Sequence, residues 1–195
     1  LIFAIVRIYK RQNNLDKILF YQKKLIDNKC LIPQVLSSYI YRNCFIETWG
    51  QKEFFSFSKI LNSNLPIYEE NSLIPLNYKK NKKIKLAFLS SDIKNFHSIT
   101  YFLKTVLLNY DKNKFEVSLI LNSDEDDYTA KEFISLCDGS INIKDLNDVD
   151  SINKVRQNKY DIIVDLMGVS SSNRLVLFKN RIAPIQATWL GYCNT

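Results

Sequence analysis

No apolar run in this chain reaches the roughly 18 residues that a membrane-crossing helix needs. The opening "LIFAIVRIYKRQ" is apolar only briefly. It follows no basic stretch and precedes no small-residue cleavage site, so a signal peptide is not expected. It also lacks an initiator Met, so the chain is expected to begin inside a longer protein. Four cysteines are present, Cys30, Cys44, Cys137 and Cys193, and none pair as C-x-x-C. With one histidine in the sequence, His97, a zinc site is not expected. Scattered cysteines with mostly apolar flanks suit a reducing cytosol, so the expected location is cytoplasmic. Also missing are a G-x-G-x-x-G fingerprint, a Walker A loop and a nucleophile elbow. Glycine and proline are scarce while Lys, Asn and Ile abound, a bias that fits an AT-rich genome.

What remains is enough for a core. The chain has 195 residues and is 46% hydrophobic, which fits one large domain or two small ones. The net charge of +7 is unevenly spread. Residues 1–83 carry 14 Lys+Arg against 6 Asp+Glu, and residues 84–195 carry 13 against 14. The excess lies wholly in the first part, at whose end "YKKNKKIK" (Tyr78 to Lys85) concentrates five lysines, four of them within residues 1–83. That run reads as a solvated linker, with an anion-attracting patch as the second reading. No RNA-binding aromatic motif accompanies it, so nucleic acid is not an expected partner.

Two periodicities divide the chain. Up to residue 64 the apolar residues recur at helical spacing, as at Ile18, Tyr21 and Leu25. Four helices are expected: "FAIVRIYKRQ", "LDKILFYQKKLIDN", "PQVLSSYIYRNCFIETWG" ending at Gly50, and "QKEFFSFSKILNSN". Residues 65–82 lose the period and read as a basic connector. From residue 83 on, short Ile/Val/Leu-rich runs alternate with helical stretches. The runs are "KIKLAFLS", "KFEVSLILNS", "SINIKDL", "YDIIVDLMG" and "APIQATWLGY". This alternation predicts an α/β fold, a Rossmann-like parallel sheet covered by helices on both faces. The helix after the third run is expected to be capped by Asp148 or Asp150.

Ligands of such sheets bind beyond the carboxyl ends of the strands. Three segments then converge: "SSDIKNFH" after the first strand, "MGVSSSNR" after the fourth and "GYCNT" after the fifth. A helix starting near His97 or Ser98 would aim its free N–H groups at this crevice. Asp92 suits a base or a group orienting His97. Arg174 suits an anion. Gly168, Ser170 and Gly191 allow close approach and hydrogen bonding to a polar, hydroxyl-rich ligand. Each has a plainer alternative. Asp92 and His97 are equally suited to capping a helix, the serines to a loop, Arg174 to Asp165 or a chain carbonyl, and Gly191 to a turn. Spacing alone supports a ligand crevice, not a reaction.

The segments "KIKLAFLSSDIKNFHSITYFL", "DKNKFEVSLILNS", "YDIIVDLMGVSSSNRLVLF" and "RIAPIQATWLGYCNT" resemble, in order and spacing, the catalytic region of the O-linked N-acetylglucosamine transferase and SPINDLY family. "YKRQNNLDKILFYQKKL" is similar to part of a tetratricopeptide repeat, which family members carry before that region. The resemblance implies the first of the two Rossmann-like domains of a GT-B glycosyltransferase, over residues 83–195. A tetratricopeptide-like segment and helical bridge over residues 1–64 would precede it. The implied reaction is an inverting transfer of N-acetylglucosamine from its UDP carrier to Ser or Thr hydroxyls, with no metal and no cofactor beyond the nucleotide-sugar substrate.

By motif, the resemblance makes Asp92 and His97 the catalytic pair. Arg174, Gly168, Ser170, Leu190, Gly191 and Tyr192 become donor-sugar or substrate contacts. A protein or peptide acceptor is expected on the helical repeats. The nucleotide-binding second domain is expected to be missing from the chain, which alone is then inactive. Departures fall at the crevice: "DLMGVS" stands where relatives have "DLNGHT", and "LGYCNT" where they have "LGYPGT". Two rival readings follow. One is a non-catalytic scaffold for peptides or partners with an inactive Rossmann-like domain. The other is a GT-B transferase with a different donor, such as GDP-fucose or UDP-glucose, or a glycan acceptor.

Overall fold

A computed structural model describes residues 2–47, 49–68, 82–124 and 126–191. The chain divides into two compact units. One is residues 2–66 together with Val169–Ser171. The other comprises the described parts of 67–168 and 172–191. Of the connector expected over 65–82, residues 69–81 lie outside the described residues.

The helical unit contains α1 (Ile2–Arg11), α2 (Leu15–Asp27), α3 (Pro33–Asn43) and α4 (Gln51–Asn64). Local chemistry sets the boundaries. Asn14 caps α2 by accepting the Lys17 amide at 3.1 Å. Pro33 opens α3, where its missing N–H costs nothing. Glu53 reaches back to the Gly50 amide at 2.9 Å at the start of α4. The third helix is shorter than its periodicity suggests. It stops at Asn43, seven residues before Gly50. The reason is aromatic packing. The chain turns so that Trp49 can stack on Phe57 at 4.7 Å and meet Tyr39 edge-on at 5.3 Å, a gain that outweighs about two more helical turns.

The second unit is a five-stranded sheet, all parallel, with order β3-β2-β1-β4-β5. Its elements run β1 (Ile84–Ser90), α5 (Ser98–Asn109), β2 (Phe115–Leu121), α6 (Tyr128–Ser135), β3 (Gly139–Asn142), α7 (Asp148–Gln157), β4 (Ile162–Asp165), α8 (Leu175–Lys179) and β5 (Ile185–Thr188). The central strands are buried over Ala87–Ser90 and Val117–Leu121. That is why they read as unbroken apolar runs rather than alternating ones. On α5, Ile99, Leu103 and Leu107 recur every four residues and are buried against the sheet beside Phe133 of α6. Each such side chain contributes about 1.5–3 kcal/mol. The cap of α7 differs from expectation. Asn147 accepts the Asp150 amide at 2.9 Å, which leaves Asp148 free for another partner.

Candidate functional site

The strand order fixes where a ligand can go. From β1 the chain moves outward to β2 and β3, then crosses back to β4 and β5 on the other side. The topological switch point therefore lies between β1 and β4, at their carboxyl ends. The loop after β1 carries Asp92 and His97. The turn after β4 carries Gly168.

The β1 loop is held from within. Ile93, between the two polar residues, is 1% exposed and belongs to the main core. Sinking Ile93 leaves Asp92 and His97 at the rim. The Asp92 amide donates to Ser90 Oγ at 2.9 Å. Its carboxylate faces Lys94 Nζ at 2.9 Å and His97 Nε2 at 3.9 Å. His97 is the N-cap of α5, and its Nδ1 accepts the Ile99 amide at 3.4 Å. Because Nδ1 accepts, the proton of a neutral imidazole sits on Nε2. His97 therefore presents a donor on the side of Asp92, at a distance too long for a direct bond. His97 thus fills the expected cap through Nδ1 and leaves Nε2 on the side of Asp92.

The turns after β4 and β5 are built on one buried acid. Asp165 ends β4 and is 5% exposed. Its Oδ1 accepts the Met167 amide at 3.0 Å and its Oδ2 the Gly168 amide at 2.9 Å. Burial pushes this carboxyl up to about 6, against the opposing pull of those two amides. Gly168 follows at φ 55, a region that favours glycine. The next turn is seated directly on it. A Cβ on Gly191 would lie 2.6 Å from Gly168 N and 2.6 Å from Met167 C. Leu190 takes φ 62 and the Gly191 amide donates to Trp189 O at 2.8 Å, a tight and strained turn for a leucine. Leu190 packs against the cluster that contains Ile93 and Leu166. One apolar contact set thus ties the three loops at their bases.

Arg174 goes elsewhere. Its Nη2 donates to Leu146 O at 3.0 Å, to Ser151 Oγ and, more weakly, to Ile143 O at 3.4 Å. Its Nη1 pairs with Asp148 Oδ1 at 3.5 Å. Burial holds this guanidinium below its ordinary value, with Asp148 acting against that. The arginine joins the start of α8 to the β3–α7 connection and α7. Of the other expected residues, Ser170 is half-buried in the loop before α8, and Tyr192 lies outside the described residues. Met167, which replaces an amide of the relatives, is fully buried and belongs to the core. Gln186 of "APIQ" is structural: its Oε1 accepts the Ile182 amide and its Nε2 donates to Phe178 O.

Three contributors escape the sequence reading. Ile93 looked like one more residue of a polar loop. Asp165 looked like the end of an apolar run, although an acid closing a buried strand is itself a signal. Asn122, after β2, donates from Nδ2 to Ser172 O at 2.9 Å and so fixes the loop after β4. Nothing in its neighbours distinguishes it. Among the described residues no group of three His, Cys, Asp or Glu could hold a metal ion. No helix there is long and apolar enough to cross a membrane.

Comparison with known proteins agrees with this geometry. Residues 60–195 match the family model "Glycosyl transferase family 41". A probable UDP-N-acetylglucosamine–peptide N-acetylglucosaminyltransferase, SPINDLY of Arabidopsis thaliana, is 32% identical over 120 residues, 58% of this chain and 13% of that protein. The UDP-N-acetylglucosamine–peptide N-acetylglucosaminyltransferase of Caenorhabditis elegans is 25% identical over 118 residues, 58% of this chain and 10% of that protein. The chain thus spans only a small part of these relatives. A solved structure of a mutant O-GlcNAc transferase from Thermobaculum terrenum superposes with a TM-score of 0.84 at 18% identity. It covers 97% of this chain and 36% of its own, and shows that the helices followed by a parallel α/β sheet are a shared fold. A parallel sheet with its loops gathered at the switch point, matched over most of its length by one family model, places the chain in glycosyl transferase family 41.

Proposed function

We propose that this chain supplies the first Rossmann-like domain of an inverting protein O-glycosyltransferase. The donor is UDP-N-acetylglucosamine and the acceptor a Ser or Thr hydroxyl. The observation that carries the reading is the pairing of Asp92 with His97 at the switch point, 3.9 Å apart. In the reaction the acceptor oxygen attacks the anomeric carbon while the bond to the departing diphosphate breaks. His97 offers its Nε2 proton to an oxygen of the sugar or acceptor and so sets its position. The hydroxyl proton leaves through Asp92 or a water, because Nδ1 of His97 is occupied by the Ile99 amide. The Gly168 turn and the Leu190–Gly191 turn form a floor of backbone without bulky side chains, suited to a sugar face. The helical unit takes the protein or peptide acceptor, and nucleotide binding falls to a second domain.

The test is transfer by the full-length gene product. It is incubated with UDP-N-acetylglucosamine and a Ser/Thr peptide, and the peptide's mass is read. Gain of one N-acetylhexosamine supports the reading. Gain from GDP-fucose or UDP-glucose alone replaces the donor. Peptide binding with no transfer from any donor overturns it in favour of a scaffold.

A further inference from the structure

The loop after β1 holds a third charged side chain that the reaction leaves idle. Lys94 grips Asp92 twice. Its amide donates to Asp92 O at 2.9 Å, which closes a three-residue turn over Ile93. Its Nζ donates to Asp92 Oδ1, also at 2.9 Å. Two further contacts keep this grip in register. The Asp92 amide donates to Ser90 Oγ at the end of β1, and Ile93, between the two charged residues, is sunk in the core.

The two oxygens of Asp92 are thereby divided. Oδ1 is held by Lys94, and Oδ2 faces His97 Nε2 at 3.9 Å. The last torsion of an aspartate is soft, so a carboxylate without a tether would sweep its plane past the imidazole. A tether on one oxygen fixes that plane. Most Lys–Asp pairs at a surface contribute little. Here the acid is sheltered: the Asp92 side chain is 14% exposed, against 53% for Lys94. Among the described residues no other side chain donates to this carboxylate within bonding distance. A sheltered charge with one direct partner depends on that partner.

We propose that Lys94 is a positioning residue for the Asp92–His97 pair: it holds Oδ1 of Asp92 so that Oδ2 stays toward the imidazole and the acceptor. In the transfer the acceptor oxygen bonds to the anomeric carbon while the bond to the diphosphate breaks and its electron pair leaves with the diphosphate. The hydroxyl proton passes to Oδ2, directly or through a water. Lys94 exchanges no proton with the reactants and acts through Asp92 alone. Its effect on turnover rests on the transferase reading; the grip itself does not, so the two can fail separately.

The experiment measures transfer from UDP-N-acetylglucosamine to a Ser/Thr peptide by the full-length gene product and its Lys94→Gln, Lys94→Arg and Lys114→Gln variants. Lys114 pairs with Asp111 at 3.1 Å in the connection before β2, at the opposite end of the sheet, and its loss changes net charge equally. Lys94→Gln should lower kcat about tenfold and leave the KM for UDP-N-acetylglucosamine within about twofold. Lys94→Arg keeps a cation and should regain most of the rate, and Lys114→Gln should match wild type. Three results would overturn the proposal: a kcat in Lys94→Gln within about twofold of wild type, equal loss in Lys114→Gln, or a raised KM with unchanged kcat, which would make Lys94 a donor ligand instead. Where the gene product transfers no sugar, the transferase reading falls and NMR of this chain decides the grip. His97 is the one histidine of the sequence, so its ring nitrogens give single signals. Those signals and the Asp92 carboxyl carbon should move in Lys94→Gln, return in Lys94→Arg and stay in place in Lys114→Gln. No movement in Lys94→Gln would overturn the proposal.

Discussion

Asp165→Asn removes the carboxyl that the sheet buries beneath the turns after β4 and β5. In the unfolded chain this acid titrates near its ordinary 3.8, and in the folded chain at about 6. That difference corresponds to about 3 kcal/mol between the two protonation states. Burial is the leading cause, and the group is almost wholly removed from solvent, so little of this is screened. Between the two values the folded protein keeps a proton that the unfolded chain has released. The stability from this group is full below about 3.8 and is lost as pH rises through about 6. From pH near 4.5 to pH near 7.5 the wild type should lose about 2 kcal/mol on this account. Asp165→Asn carries no charge at either pH. It keeps an acceptor for one of the two turn amides and loses the other, at about 1 kcal/mol. Urea denaturation of both proteins at the two pH values should show the gap between them shifting by about 2 kcal/mol in favour of the variant at the higher pH. Carboxyl NMR should place the Asp165 midpoint near 6, with the Met167 and Gly168 amides moving in step. A midpoint below about 4, with parallel stability curves, would refute the reasoning.

His97→Ala should cost about 1 kcal/mol through loss of the α5 cap, whereas His97→Asn should cost little, as thermal denaturation would show. Gly191→Ala must push Gly168 and Met167 backbone apart and should destabilise the sheet unit by about 1–3 kcal/mol, with the largest amide shifts at residues 167–168. Arg174→Ala strips two chain carbonyls, the Ser151 hydroxyl and Asp148 of their partner and should cost about 2–4 kcal/mol. Unchanged stability in Arg174→Ala, with weaker donor binding, would instead make Arg174 an anion ligand.

Much of the fold could be read before any coordinates, because parallel strands buried on both faces leave apolar runs that need no alternation to be seen. Leu119, Ile120 and Leu121 are of this kind. Helix ends were harder. At Asn43 the deciding contact was Trp49 on Phe57, between side chains six and fourteen residues downstream of the point where the helix stops. At the site, Asp92 and His97 stood out as polar residues just past a buried strand, where a helix cap was the plainer reading, and His97 does cap α5. Arg174 was visible for the same reason, yet its partners, Leu146, Ser151 and Asp148, lie some 23 to 28 residues earlier and bear no local mark. Asp165 was in plain view, but what makes it matter is the depth of its burial, and a sequence does not display depth.

The central claim is that His97 acts at the transferred sugar and not only as a helix cap. The most direct measurement compares transfer of N-acetylglucosamine from UDP to a Ser/Thr peptide by the full-length gene product and by its His97→Ala and His97→Asn variants, with the fold of each checked by thermal denaturation. Asn retains the cap and lacks the Nε2 donor of the ring. Turnover reduced about 10²-fold or more in both variants, with Asn keeping wild-type stability, is the predicted result. Wild-type turnover in His97→Asn would contradict the account and leave His97 as a cap alone.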